Sequence, residues 1–274
     1  MIEDIEDILN IEVPLVEVPH LSKAYGARVA FLDGSVYPFT NTIKDLRNAE
    51  TLLRQRHLDE AVYVDISWGN SARSMAVLAG LEEKLTNCRR IVVTLIPEGY
   101  IGLKEDLEES GCIVVEKSVR ELERKISDDK LKSMAVKELK ERGIECSCEK
   151  SNIFIVEEEK VFRKAYNLIS DNITEDTDYL FVPFGTGGVA MGMIQSLLTR
   201  YGGSIDRMPK IVCVETENKV NIRGKNLTHD KSLTKHSTFR NHIEELSRRY
   251  NGKIEFVTVS EDERDGETCY EDSG

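Results

Sequence analysis

Residues 61–72, AVYVDISWGNSA, have the pattern of a strand, a turn and the start of a helix. The first six residues are almost continuously apolar, which is typical of a strand that is covered on both faces in a parallel sheet. Small polar residues follow, and the apolar run 75–79 then indicates a helix. The stretch predicts a strand–turn–helix unit, the building block of an α/β fold.

Units of the same kind recur on both sides of this stretch. Apolar runs predict strands at 27–32, 61–66, 90–96, 112–115, 153–156, 179–184, 210–215 and 254–259. Helical periodicity marks 43–57, 120–142, 157–170, the segment from Gly188 to Gly202, and 237–250. Strands that alternate with helices predict a doubly wound α/β architecture with parallel sheets. The charged stretch 116–150 is the predicted domain edge.

Composition argues against several classes of function. The 274 residues carry a net charge of −12, so most of the surface would repel a nucleic acid. No apolar run approaches the ~20 residues that span a bilayer, and the acidic N-terminus lacks the pattern of a signal peptide. We therefore expect a cytoplasmic protein that binds neither nucleic acid nor membrane. Cys146 and Cys148 are too close in sequence for a zinc knuckle, so we expect no metal site.

Three segments have the residue types that a ligand site needs, and the first of them contains Lys44. The segment YPFTNTIKD, residues 37–45, precedes a predicted helix and places Lys44 in its first turn. The helix dipole disfavours a cation there, and the same field favours the neutral amine that a nucleophile needs. An ordinary surface lysine is the more common explanation of any single lysine, so this segment alone decides little.

The second segment is the turn from Ser67 to Ser71 within the opening stretch. Backbone N–H groups at the start of a helix bind carboxylates well, which predicts an anion site at this turn. The alternative is a plain helix cap, in which Ser67, Asn70 or Ser71 satisfies those N–H groups. For a turn taken alone, capping is the more common role.

The third segment is GTGG, residues 185–188, at another strand-to-helix junction. Glycines allow the backbone to approach a ligand closely, and the helix N-terminus favours a phosphate. A rival interpretation is the dinucleotide fingerprint, with Gly185, Gly187 and Ala190 in its pattern and Glu215 as the ribose-binding acid. Only about one predicted strand follows Glu215, which is too few for the second half of a dinucleotide-binding domain.

Together, in this order and spacing, the three segments resemble those of the fold type II pyridoxal-phosphate (PLP) enzymes. This tryptophan-synthase-β-like group includes threonine synthase, cysteine synthase, cysteate synthase and serine/threonine dehydratase. TNTIKD at 40–45 resembles the lysine motif T/S-x-S-x-K-D-R, SWGNS at 67–71 the asparagine loop S-x-G-N-x, and GTGG at 185–188 the phosphate loop. Similarity extends to 13–16, 21–30, 208–215 and 257–263. The sequence departs from the lysine motif at Leu46, where the family has arginine, with Arg47 next.

The resemblance implies a two-domain fold with PLP in the cleft between the domains. The smaller domain would be 41–147, and the larger would combine 1–40 with 148–274. Lys44 would bind PLP as a Schiff base and then act as a general base. The other cofactor contacts would come from Asn70, Gly185, Thr186, Gly187, Gly188 and Ser273. The substrate carboxylate would be received by Thr42, Ser67, Gly69, Asn70 and Ser71.

The implied activity is elimination or replacement at the β or γ carbon of an amino-acid substrate, by a lyase or synthase that forms a homodimer. Ser273, facing the pyridine nitrogen, would leave the ring uncharged and favour this chemistry over that of aminotransferases. Two alternatives stay open. One is an NAD(P)- or nucleotide-binding enzyme that uses 185–190 and Glu215, and the other is a non-catalytic relative that binds PLP.

Overall fold

The computed structural model describes residues 4–67, 69–122, 126–146, 150–156, 159–185, 187–202, 205–216, 240–250 and 252–259. The chain divides into two compact units, Met1–Val161 and Phe162–Gly274. Each unit contains its own parallel sheet with helices beside it, so the predicted α/β class is confirmed.

The first unit is built on a four-stranded parallel sheet. A short antiparallel pair precedes it, β1 (Leu15–Glu17) and β2 (Ala30–Leu32). The sheet itself consists of β3 (Glu60–Ile66), β4 (Arg89–Pro97), β5 (Cys112–Lys117) and β6 (Ile153–Ile155). These strands lie in the order β5-β4-β3-β6, with Val62 of β3 opposite Ile91 on one side and Ile153 on the other. Parallel neighbours need crossover connections, which is why helices separate most of these strands along the chain.

Helices pack on both faces of this sheet. The helices of the unit are α1 (Pro19–Tyr25), α2 (Lys44–Arg54), α3 (Asn70–Thr86), α4 (Ile101–Glu109), α5 (Val119–Leu122) and α6 (Asp128–Glu141). Of these, α3 to α6 contact the strands, and α2 packs on α3. Leu131 and Leu139 of α6 form a buried cluster with Val62 and Val64 of β3. Because side chains alternate along a strand, Asp65 points to the opposite face, where α3 packs.

Arg56, just after α2, ties that helix to α3. Its Nε donates to Glu82 of α3 at 2.7 Å, and its Nη2 donates to the other Glu82 oxygen at 2.8 Å and to Asp4 at 2.6 Å. These hydrogen bonds, the one to Glu82 first, raise the pKa of Arg56, and the bond from Arg56 lowers the pKa of Asp4. The contribution of Asp4 to stability is therefore present above its unfolded pKa and is lost as the pH falls through the folded value.

The second unit is built on a three-stranded parallel sheet. Its strands, in spatial order, are β7 (Tyr179–Pro183), β8 (Lys210–Thr216) and β9 (Ile254–Val259). The helices are α7 (Glu159–Ser170), which begins just before the boundary, α8 (Gly188–Arg200) and α9 (Arg240–Arg249). Buried Phe184 follows β7 and meets Phe256 of β9 edge to face, with ring centroids 5.0 Å apart.

The predicted strands all occur, with small differences at their ends. The predicted strand 27–32 is shorter, because only Ala30–Leu32 is paired. The predicted helix 120–142 is wrong as one element, since Ser127 adopts an extended conformation and α6 begins after it. Helices α1 and α4 were not predicted.

The division of the chain into 41–147 and 1–40 with 148–274 stays a prediction. The sheet of the first unit does extend past 147, since β6 pairs with β3. Within the described part of the chain, none of the helices combines the length and apolar character needed to cross a membrane.

Candidate functional site

Lys44 is the first residue of α2, as the sequence predicts. Its side chain is half-buried, and the helix begins after Ile43 without a hydrogen bond from a capping side chain among the described residues. The Lys44 backbone N–H donates to the Thr42 hydroxyl at 3.2 Å, and that hydroxyl lies 3.0 Å from the Thr40 hydroxyl. The hydroxyl groups of Thr40 and Thr42 therefore hold the loop that leads into α2.

Asp45, the neighbour of Lys44, fixes the shape of this loop. Its buried carboxylate accepts the N–H groups of Phe39 and Thr40, each at 3.0 Å, and the Thr40 hydroxyl at 2.7 Å. Asn41, at the tip, adopts a positive φ of 54°. The loop closes back onto the first turn of α2, and this closure orients Lys44. The sequence analysis quoted Asp45 as part of a motif and assigned it no role.

The turn between β3 and α3 is organised around the hydroxyl of Ser67. This hydroxyl accepts the N–H groups of Gly69 and Ala72, both at 3.2 Å. Gly69 has a φ of 135°, and a Cβ there would lie 3.4 Å from Leu103 of α4, so the position favours glycine. Ser67 thus has the capping role that the sequence left open. Asn70, the first residue of α3, is exposed.

Ser71 turns its side chain into the interior, where it joins a buried polar cluster. Its hydroxyl donates to Asp65 Oδ2 and accepts from Arg47 Nη2. Its carbonyl accepts from Asn48 Nδ2 at 2.9 Å, and Arg47 Nε and Nη2 donate to Asn48 Oδ1 at 2.9 and 2.8 Å. The cluster joins α2, β3 and α3, and so connects the helix of Lys44 to the turn that contains Asn70.

Sequence reasoning missed this cluster, although one signal was present. Asp65 is a carboxylate inside the apolar run of β3, and a buried carboxylate needs partners. A search for those partners among nearby helices would have pointed to Arg47, which the sequence analysis noted only as a departure from a motif.

The glycine turn in the second unit has the shape of an anion-binding helix start. Gly187 is the N-cap residue of α8, with a φ of 87°, and no described side chain caps the helix. Gly187 and Gly188 are buried and Gly185 is half-buried. The first turn of α8 contains no acidic residue, so nothing in it opposes an anion. These features fit a phosphate group. Thr186 and Ser273 lie outside the described residues.

Glu215, the acid in the dinucleotide interpretation, is engaged elsewhere. Both of its oxygens accept hydrogen bonds from Arg240 Nη1, at 2.7 and 2.6 Å, and its side chain is nearly buried. The Arg240 guanidinium also lies over the Phe256 ring, 4.5 Å from its centroid. The hydrogen bond to Glu215 raises the pKa of Arg240. A ribose would have to compete with this pair, which weakens the nicotinamide alternative.

The remaining predicted residues give no further site in the described parts of both units. Cys146 is half-buried, and Cys148 lies outside the described residues. In those same parts, no three His, Cys, Asp or Glu side chains form a group that could hold a metal ion. The predicted site residues that the structure describes lie around the starts of α2 and α3 in the first unit and, for Gly185, Gly187 and Gly188, at the start of α8 in the second.

Comparison with known proteins identifies a family. The family model described as pyridoxal-phosphate dependent enzyme matches residues 8–264. A search of curated proteins finds no match. This family uses PLP, so the cofactor expected from the resemblance is confirmed, and the nicotinamide alternative has no support from the comparison.

Solved structures with a similar fold include enzymes of several kinds. Maize serine racemase is 14% identical, with a TM-score of 0.60 over 98% of this chain and 82% of that one. The O-acetylserine-dependent cystathionine β-synthase of Helicobacter pylori is 16% identical, with a TM-score of 0.63 over 96% and 80%. A hydrogen sulfide-producing enzyme of Fusobacterium nucleatum is 15% identical, with a TM-score of 0.61 over 96% and 80%. Identities this low establish a shared fold and leave the substrate open.

The loop before Lys44 gives a first prediction. We expect Asp45→Ala to lower the free energy of unfolding by about 2 kcal/mol, because it leaves the part-buried N–H groups of Phe39 and Thr40 without an acceptor. Urea denaturation measures this change. Thr40→Val is the matched control, since it keeps the acceptor of both N–H groups and removes only the Thr40 hydroxyl with its contacts to Asp45 and Thr42, and it should cost about half as much. Equal losses in the two variants would contradict the role given to Asp45.

Proposed function

Because the chain belongs to the family of pyridoxal-phosphate-dependent enzymes, we propose that it is a lyase or synthase that eliminates or replaces a group at the β or γ carbon of an amino acid. The observation that carries the proposal is the position of Lys44 at the start of α2. One turn along this helix, Arg47 contacts Ser71, the neighbour of Asn70. A lysine and an amide-bearing turn are thus joined through adjoining helices of one unit.

Lys44 is the proposed catalytic residue. When bound, PLP supplies an electron sink that stabilises negative charge at the substrate α-carbon. Lys44 Nζ would hold the cofactor covalently, and its amine would remove the proton from the substrate α-carbon as a general base. The hydrogen bonds of Asp45 fix the loop that leads into Lys44.

The turn from Ser67 to Ser71 is the proposed site for the substrate carboxylate. Backbone N–H groups at the start of α3 suit an anion, and Asn70 is exposed there, where it can bind the cofactor ring oxygen. The hydroxyls of Ser67 and Ser71 already have partners, so their contribution would be to shape the turn. Thr42 and Gly69 would complete the site, Thr42 beside Lys44 and Gly69 through the positive φ that shapes the turn, since its N–H already donates to Ser67.

The glycine turn is the proposed phosphate site. Gly185, Gly187 and Gly188 would approach the phosphate with their backbone, and α8 would supply the favourable field. Thr186 would belong to the same loop, and Ser273 would face the ring nitrogen, both proposed from the resemblance alone.

A serine with a leaving group on its β carbon is the substrate class we propose. Among proteins of similar fold, one is named a serine racemase and another depends on O-acetylserine. A phosphorylated homoserine, with its leaving group on the γ carbon, is the second candidate, and it comes from the resemblance to threonine synthase. Elimination from a β-substituted serine would release the leaving group and, after hydrolysis by water, pyruvate and ammonia, whereas replacement would need a second nucleophile.

The cofactor attachment gives the central test. We expect purified protein with added PLP to show a visible absorption band, and borohydride to trap the cofactor on the peptide that contains Lys44. Lys44→Ala should lose the band and all turnover of O-acetylserine, measured as pyruvate release. Lys84→Ala, at an exposed position of α3, is the control and should keep both. Turnover that survives in Lys44→Ala would overturn the assignment, and a trapped cofactor without turnover of any amino acid would indicate a non-catalytic relative.

The phosphate site gives a separate prediction. Gly187→Ala adds a Cβ to a residue with a φ of 87° and directs it at the proposed phosphate. We therefore expect the dissociation constant of PLP to rise at least tenfold. Gly202→Ala is the matched control, because Gly202 also has a positive φ, 58°, with no described atom within 4 Å of the added Cβ. The control carries the backbone strain alone and should bind PLP as the wild type does. Equal losses of affinity in both variants would argue against a phosphate at Gly187.

The resemblance further leads us to propose a homodimer in the cytoplasm. Light scattering should then give about twice the chain mass of 31.1 kDa. A monomeric mass at micromolar concentration would refute the dimer.

A further inference from the structure

The first unit contains a buried polar cluster that no contact with cofactor or substrate requires. It consists of Arg47, Asn48, Asp65 and Ser71, and we name it the α2–α3 clamp. The side chains of Arg47 and Asn48 are fully buried, and Asp65 is 1% exposed. The guanidinium of Arg47 and the carboxylate of Asp65 meet on the same hydroxyl, that of Ser71.

Burial of the charges in the clamp is unfavourable in free energy. Burial, with the Asp65 charge as a second cause, raises the pKa of the nearby Cys112 thiol to about 12. Asp65 Oδ1 has no hydrogen-bond partner among the described residues. Buried ion pairs can often be replaced by apolar residues without loss of stability. Stability alone is therefore a poor explanation for the clamp.

The clamp joins the two elements on which the proposed function depends. Arg47 lies three residues after Lys44, so both project from neighbouring positions on one face of α2. Ser71 directly follows Asn70 and contributes a backbone N–H to the first turn of α3. Asn48 holds the Ser71 carbonyl, and Arg47 and Asp65 hold its hydroxyl. Any shift of Ser71 would move the turn relative to Lys44.

We propose that Arg47 is a positioning residue, which through Asn48 and Ser71 sets the carboxylate-binding turn at a fixed distance from the lysine helix. This inference rests on the proposed function. Arg47 itself touches neither substrate nor cofactor in this scheme and acts on substrate binding through Ser71. At the far end of the same helices, Arg56 and Glu82 form an independent tie, so loss of the clamp changes local geometry before it unfolds the unit.

Two variants test the clamp in the PLP-loaded enzyme. Arg47→Lys keeps the charge but loses the planar fork that reaches both Asn48 and Ser71. Ser71→Ala keeps the backbone N–H and loses the hydroxyl. For both we expect the KM for O-acetylserine to rise about tenfold or more, because a displaced turn binds the carboxylate less well. The absorption band and the borohydride-trapped Lys44 peptide should stay as in the wild type.

Ser74→Ala is the matched control. Ser74 lies one turn along α3 from Ser71, is fully buried, and has a hydroxyl without a hydrogen-bond partner among the described residues. The Ser74→Ala substitution therefore removes a buried hydroxyl from the same helix without changing the clamp, and we expect an unchanged KM. A KM that rises equally in Ser74→Ala would reduce the effect to general loosening of α3 and overturn the proposal.

A double-mutant cycle separates positioning from direct contact. If Arg47 acts through Ser71, the variant with both changes should have nearly the KM of Arg47→Lys alone, since both changes remove the same contact. If the Ser71 hydroxyl instead binds substrate directly, the two effects should multiply, which would overturn the proposal. An unchanged KM in both single variants would overturn it as well. If the wild-type protein traps no cofactor, the proposed function is refuted, and the role assigned to the clamp with it. If the wild-type protein turns over normally and the variants are unaffected, only the role of the clamp is refuted.

Discussion

Parallel pairing of the strands is the constraint on which the arrangement of the candidate site depends. Parallel neighbours must be joined by crossovers, and in both units a helix begins shortly after the carboxyl end of a strand. The turn before α3 follows β3, and the glycine turn before α8 follows β7. Each turn therefore presents the N–H groups of a helix start at the carboxyl edge of its sheet, where α/β proteins bind their ligands. The topology therefore accounts for the position of the two turns that we propose as anion sites.

Most of the fold could be predicted because its signals are local. The strands are continuous apolar runs, and a strand buried on both faces leaves that pattern in the sequence. The short helix α1 could also have been found, since Pro19 starts it and Gly26, at a φ of 62°, ends it. The break between α5 and α6 was harder, because Ser127 carries no stronger stop signal than many serines inside helices.

The side-chain roles in the site could not be predicted because they depend on distant partners. Ser67 and Ser71 look alike in sequence, and both suggest either a helix cap or a ligand contact. Ser67 takes the local role and caps the turn. Ser71 takes a role that only the tertiary structure creates, since its partner Arg47 is 24 residues away on another helix. The two interpretations divide the turn between them: the Ser67 hydroxyl accepts the N–H groups of Gly69 and Ala72, and those of Asn70 and Ser71 are the ones that we propose for a ligand.

The departure from the lysine motif at Leu46 and Arg47 has a simple geometric meaning in α2. Consecutive helical residues differ by about 100° around the axis, so these two side chains cannot share a face. Leu46 is fully buried, whereas Arg47 reaches Asn48 and Ser71. An arginine at position 46 would have to bury its charge on a different side of the helix from the side that Arg47 uses to reach Ser71. With leucine at 46 and arginine at 47, one turn of α2 therefore contributes a side chain to the core and another to the polar contact with Ser71. The arginine also places a cation next to the turn that contains Asn70.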